Sequence, residues 1–281
     1  MHFNFHFTTV QVLWTLTFAA LLVLLVVLLG RDRMRRFPWF TAGIALVALR
    51  LLATRLLYNR LPQITMGAVF IVMANISALV GLLVVVEMAR RAFGGVKRRT
   101  WILGGLAMLV VGVGVLASWG PWPDAKSLAF DTLLAKLAML QLLAQKTGLL
   151  VDVLTITLGL LIVLFGRRYG AGWRSHVQQI VIGLSTASLA QTAAQAIWQM
   201  IVRTAAQPHS EAEYLRVVGI REKLFNANSV VYIAVVVWWI VCLWIDEPGT
   251  AAPVAEAVPV GARLPEENTP VSLELPEDTQ G

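Results

Sequence analysis

Charge is scarce in this sequence. Only 14% of its 281 residues are charged, 58% are apolar, and mean hydropathy is +0.72. A soluble domain carries about 25% charged residues. The chain therefore lacks the polar groups to coat a single core, which excludes an ordinary soluble enzyme and a disordered chain. Cysteine is almost absent: Cys242 stands alone inside an apolar stretch. That excludes a disulfide framework, a CxxC pair and a thiol-rich metal site. Histidine is nearly as rare, and none of the four lies within an apolar span. This excludes a membrane-embedded serine–histidine pair, an HExxH zinc motif and paired haem ligands. His2, His6 and His209 read as solvated residues, not as a metal site. The last span has no lysine for a retinal Schiff base, and no Walker or GxGxxG motif occurs. The expectation is a non-enzymatic protein with no cofactor and no metal.

Long apolar runs are what the chain does contain. About 20 such residues cross a hydrocarbon core as a helix. Seven stretches qualify, at 9–30, 38–58, 65–89, 100–119, 147–166, 178–202 and 228–245, which predicts an all-α seven-helix membrane bundle over 1–246. Two further segments read as outer helices. Residues 127–146 carry a stripe of Leu133, Leu137, Leu140 and Leu143. They read as interfacial and not as an eighth span, which would bury Asp131 and Lys136. Residues 210–226 open on Ser210 and Glu213 at capping-box spacing, and this helix can run on into the seventh span.

The net charge of +7 hides a split. From Asp246 onward eight carboxylates face Arg263 alone, so this part carries −7 and the rest +14. Six of the eleven prolines also fall after Ile245, and 247–281 reads as a disordered acidic tail. The basic residues cluster in alternate loops: Arg31, Arg33, Arg35 and Arg36; Arg90, Arg91, Lys97, Arg98 and Arg99; Arg167, Arg168 and Arg174. The positive-inside rule makes these loops cytoplasmic, with the N-terminus outside and the C-terminus inside. The first span, with no basic residue before it, reads as an uncleaved N-out anchor in the plasma (inner) membrane. The basic loops suit anionic lipid headgroups and not nucleic acid.

Ionisable groups inside spans are expensive and point to function. Counted at about 1.5 Å per residue from each inner boundary, Thr17, Arg50, Asn75, Asp152, Gln191 and Tyr232 share one level in the outer half of the membrane. Arg50 and Asp152 read as an opposite-charge pair that fixes helix register, as a ligand or ion site, or as unconnected groups with Arg50 snorkelling outward. Glu87 reads as a partner of Arg90 or Arg91. On the sixth span Ser185, Ser188, Gln191, Thr192, Gln195 and Gln199 share a face, with Gly183, Ala187, Ala190 and Ala194 on a second stripe. Such a polar face serves either as interhelical glue or as the wall of a polar cavity.

The run Arg35-Arg-Phe-Pro-Trp-Phe40 after an N-out first span, together with Glu87-Met-Ala-Arg-Arg91, resembles a group of uncharacterised bacterial seven-span inner-membrane proteins. The plan is also similar to the seven-span sensory modules fused to bacterial signalling domains. It departs from them in that no kinase or cyclase sequence follows the last span. The resemblance implies that a signal would leave through the inner loops, the tail or a separate partner.

The functional expectation is a sensory or interaction module that binds a small ligand, a lipid or a membrane partner. Its site residues are Arg50, Asn75, Asp152, Gln191, Gln195 and Tyr232. The alternative is a small-solute or ion transporter with Asp152 as its coupling site. The absence of a Gly/Pro-broken helix pair weighs against that alternative. Composition says nothing about oligomeric state.

Overall fold

The computed structural model describes residues 8–57, 60–93, 98–119, 122, 132–165, 175–204 and 210–246. Among them the regular structure is entirely helical: α1 (Thr9–Gly30), α2 (Arg33–Arg36), α3 (Pro38–Leu57), α4 (Gln63–Ala92), α5 (Arg98–Ser118), α6 (Leu133–Phe165), α7 (His176–Thr204) and α8 (Glu211–Trp244). The tail from residue 247, the start of the 127–146 segment, the arginines at 167, 168 and 174, and His2, His6 and His209 lie outside the described residues.

Local chemistry sets the helix starts. Thr8 accepts from the Gln11 N–H at 3.3 Å while the Gln11 side chain accepts from the Thr8 N–H at 3.3 Å, a reciprocal cap on α1. Pro38 opens α3, a position where its missing N–H and fixed φ cost nothing. Ser210 accepts from the Glu213 N–H at 3.3 Å and starts α8. Between α1 and α2 the chain turns through Asp32 at φ 51°, a left-handed conformation that a short polar side chain tolerates.

Six helices are long and apolar enough to cross a membrane, and α5 contributes a shorter apolar stretch, Ile102–Ser118. One element differs from the sequence expectation. The hydropathy pattern separates an outer helix at 127–146 from a fifth span at 147–166. The structure instead joins residues 133–165 into one helix. Nothing between Leu143 and Leu149 breaks it. The Lys146 ammonium donates to the Trp119 carbonyl and lies 4.7 Å from the Trp122 ring centroid, so its charge is met at the end of α5 without a kink. The 210–226 segment does run on into the seventh span, and the two form the single helix α8. At about 1.5 Å per residue such helices reach roughly 50 Å, well beyond a ~30 Å hydrocarbon core.

Helix neighbours run α1–α3–α4–α6–α7–α8 and back to α1, a closed ring of six. α5 stands outside it against α6, where Gly112 meets Leu150 and Leu154. Contacts of Asn75 with Leu140 and of Gly81 with Val151 show that α4 and α6 run parallel. Two glycines allow close approach. A Cβ on Gly159 of α6 would overlap Ser185 of α7, whose hydroxyl donates to the Thr155 carbonyl at 2.8 Å. A Cβ on Gly183 of α7 would overlap the Trp239 indole of α8. Small residues let helix backbones meet where lipid supplies no hydrophobic drive.

One end of the ring is basic and tightly tied. Glu87, 7% exposed, accepts the Phe40 N–H at 3.1 Å and the Arg91 guanidinium at 3.5 Å. Phe40 is the third residue of α3, so a carboxylate from α4 caps another helix where its dipole is positive. Arg91 lies 5.0 Å from the Phe37 ring centroid. Asp246 accepts from Arg33 at 2.9 Å and from Arg31 at 3.3 Å, which fastens the end of α8 to the α1–α2 turn. His176 Nε2 meets the Ile245 carbonyl at 3.0 Å. Above this layer Leu21, Leu24, Leu28, Met88, Val236 and Leu243 fill the core.

Replacing Glu87 by leucine strands the Phe40 N–H. The expected loss of stability is about 1–3 kcal/mol, with a smaller loss for Glu87→Gln, which keeps an acceptor, and for Arg91→Ala. Thermal unfolding of the purified chain in detergent checks the order. Equal losses in all three would show that the bond to the Phe40 N–H is not what Glu87 chiefly contributes.

Candidate functional site

The ring holds a half-open cavity of about 650 Å³. All six ring helices line it: Val10 to Thr17 of α1, Phe40 to Leu51 of α3, Ser77 to Val85 of α4, Val151 to Thr155 of α6, Leu184 to Gln191 of α7 and Asn226 to Trp239 of α8. On α4 the lining positions Ser77, Val80, Gly81 and Val84, and on α7 Leu184, Ala187, Ser188 and Gln191, fall at i, i+3, i+4 and i+7, one helical face each. The pattern on each helix therefore presents a single stripe inward.

The two ends of the cavity differ in chemistry. Towards the basic end its floor is Phe40, Ile44, Val84, Val85, Leu184 and Trp239. Phe40 and Trp239, each 1% exposed, meet edge to face at 5.2 Å between ring centroids. Trp239 Nε1 is buried with no hydrogen-bond partner among the described residues. Towards the opposite end stand Arg50, Asp152, Ser188, Gln191, Asn226, Asn228 and Tyr232. Asn228 donates to Gln191 at 2.6 Å, and the Ser188 side chain bonds the Asp152 carboxylate. Arg50 lies close enough to Tyr232 to act on its hydroxyl through charge. The hydroxyls of Thr17, Ser77, Thr155 and Ser229 each donate to a carbonyl four residues back in their own helix.

Five of the six polar groups expected at one depth thus line one cavity: Thr17, Arg50, Asp152, Gln191 and Tyr232. Asn75 does not. Its amide donates to the Ile71 carbonyl at 2.9 Å and to the Leu140 carbonyl at 3.1 Å, binding α4 to α6. It stands about 200° around α4 from Ser77, which faces inward. Gln195 lies one turn of α7 beyond Gln191 and outside the lining. Ser77, Asn226, Asn228 and Ser229 were not expected as lining residues. The signal was present in α8, where Asn226, Ser229 and Tyr232 recur at threefold spacing. Starting the span at 228 placed part of that series outside the membrane.

Arg50 and Asp152 form no ion pair with each other. Nor does either have another ionic partner among the described residues. Arg50 is exposed at the mouth and Asp152 is half-buried. The glue and cavity readings of α7 both apply, at different residues. Ser185 bonds the backbone of α6, whereas Ser188 and Gln191 face the cavity.

A double-mutant cycle of Arg50→Gln and Asp152→Asn is expected to show additive stability changes, with a coupling below about 0.5 kcal/mol. A contact ion pair would couple by more. Thermal unfolding of wild type, both single variants and the double variant makes the measurement. Comparison with family models, curated proteins and solved structures finds no match to this chain.

Proposed function

We propose that the chain is a non-enzymatic, multi-pass membrane protein that binds a small ligand or lipid in the ring cavity and serves as a sensory or interaction module. The single observation that carries this reading is the cavity itself: convergent polar groups at its mouth and an apolar floor, the usual make-up of a small-molecule site. The floor also favours binding over passage. Phe40 and Trp239 are packed into one core with Leu21, Leu24, Leu28 and Leu243, each fully buried, which closes the bundle at this end. A transporter with Asp152 as coupling group would have to open that plug.

The membrane disposition belongs to the same proposal. α5 serves as the seventh span, packed outside the ring. The basic end, with Arg31, Arg33, Arg35, Arg36, Arg90 and Arg91, faces the cytoplasm of a bacterial cell against anionic lipid, and the cavity mouth faces outward. The −7 charge beyond Ile245 belongs to the same side of the membrane in this reading, and a separate signalling partner would dock at the cytoplasmic face. Reporter fusions at the N-terminus and after Asp246 are expected to report opposite sides, with the N-terminal one outside. Both reporters on one side would remove the seventh span.

Blocking the cavity tests the binding reading. Ser188→Leu fills the mouth with an apolar branch. In a thermal-shift panel of amino acids, organic anions, amines and single-chain lipids, at least one class is expected to stabilise wild type and to lose most of that effect in Ser188→Leu. If every stabilising compound acts equally on both proteins, the cavity is not a binding site.

A further inference from the structure

We propose that the cavity takes a zwitterionic amphiphile with one apolar chain. Its anionic group lies on the Arg50 guanidinium, its primary ammonium on the Asp152 carboxylate, and its chain runs down to Phe40 and Trp239. The inference rests on the ligand-binding reading above and names the ligand class.

The headgroup follows from two opposite charges that share one space without meeting. Arg50 on α3 and Asp152 on α6 both line the cavity, yet they form no ion pair and their helices are not ring neighbours. An unpaired charge is costly where it is shielded from water, as the half-buried Asp152 is, while Arg50 stands exposed and free to meet an anion. A neutral ligand leaves both charges unmet. A purely anionic one answers Arg50 and repels Asp152, and a purely cationic one does the reverse. A molecule that carries both charges answers each. The neutral groups fit the same head: Ser188 stands at the Asp152 carboxylate, and Gln191 keeps a second lone pair on the oxygen that accepts from Asn228. An ammonium with three donors can use both.

The chain follows from the floor. Arg50 to Phe40 spans ten residues of α3, about 15 Å, and the lining between them includes Gly43, Ile44 and Val47. That depth is about half of a ~30 Å hydrocarbon core, the length of one leaflet's acyl chain. The flank supplies a route from the bilayer. On the mouth side α1 begins at Thr9 and α3 ends at Leu57, whereas α6 continues from Asp152 back to Leu133, about 28 Å. Arg50 and Val10 are exposed on the short flank. A ligand held laterally in the outer leaflet meets the mouth there.

Affinity by native mass spectrometry of the full chain in a maltoside micelle tests this. The probes are lysophosphatidylethanolamine, a fatty acid and an alkylamine of equal chain length, and phosphoethanolamine without a chain. Wild type is expected to hold the lysolipid roughly tenfold or more tighter than either singly charged chain, and phosphoethanolamine far more weakly. Arg50→Gln should shift the preference towards the alkylamine, and Asp152→Asn towards the fatty acid. Equal affinities for the three chain-bearing probes, or variants that leave the preference unchanged, would overturn the headgroup assignment. Phosphoethanolamine matching the lysolipid would overturn the chain. If Ser188→Leu abolishes binding of some other compound class while the lysolipid never binds, this inference falls and the binding reading stands.

Discussion

A carboxylate placed on the end of another helix governs how this bundle closes. Residues 38–40 begin α3 with no side chain able to cap it, because Phe37 and Pro38 offer neither oxygen nor donor. Glu87 of α4 takes the Phe40 N–H and, through its second oxygen, the Arg91 guanidinium. Moving an ionised carboxylate out of water is expensive unless it is both paired and hydrogen-bonded, and here it is both. The arrangement fixes the height of α4 against α3. It also sets Phe40 upright against Trp239. Trp239 in turn lies on Gly183, which sets α8 against α7. A single polar contact at the basic end therefore propagates through two aromatic rings to most of the ring of helices.

The cavity is a consequence of that geometry and not an accident of loose packing. Three of the closest approaches join adjacent helices, Gly159 under Ser185, Gly183 under Trp239 and Asn75 on the backbone of α6, and α4 also touches α7 beside α6. Those three lie between ring neighbours, so they tighten the circumference while the centre stays open. Six helices in a ring cannot all meet at its axis. At the basic end leucines and Met88 fill the middle. Further along, Gly43 and Ala187 line the open space, and Gly81 lets Val151 of α6 come close to α4.

Membership of the cavity was partly legible in the sequence, and exact height and azimuth were less so. Counting from the basic loops placed Thr17, Arg50, Asp152, Gln191 and Tyr232 at one level, and all five line the cavity. The same count included Asn75, which differs in height as well as direction: it bonds the Leu140 carbonyl, twelve residues of α6 from Asp152, whereas Val151 meets Gly81. Gln195 shares the polar face of α7 with Gln191, but the cavity ends before the next turn. Helix ends were read from hydropathy, which reports where lipid begins and not where a helix does. Hence α6 was divided at a point where the backbone continues. The link between Glu87 and the Phe40 N–H left no trace at all. It joins residues 47 apart, and a main-chain donor has no signature in a side-chain pattern. Arg91 at i+4 was the visible half of that interaction.

The two unpaired charges run against the pattern of the rest of the bundle. Many polar groups elsewhere are met within the fold: the Thr17 and Thr155 hydroxyls turn back on their own helices, Asn75 bonds a neighbouring backbone, and Glu87 holds two donors. Had Arg50 and Asp152 served only to lock register, selection for stability would favour contact between them, or their replacement by packed apolar residues. Holding them apart across a cavity leaves each dependent on solvent or on a guest for its counter-charge. Arg50 loses little by this at the mouth, where it is exposed. Asp152, half-buried and bonded by Ser188, has less water to lean on. The carboxylate is therefore the group whose environment changes most when the cavity fills. It lies on α6, the helix that touches α4, α5 and α7. Occupancy felt at Asp152 has a short mechanical path to three neighbouring helices, and from α4 to Glu87 and the basic end.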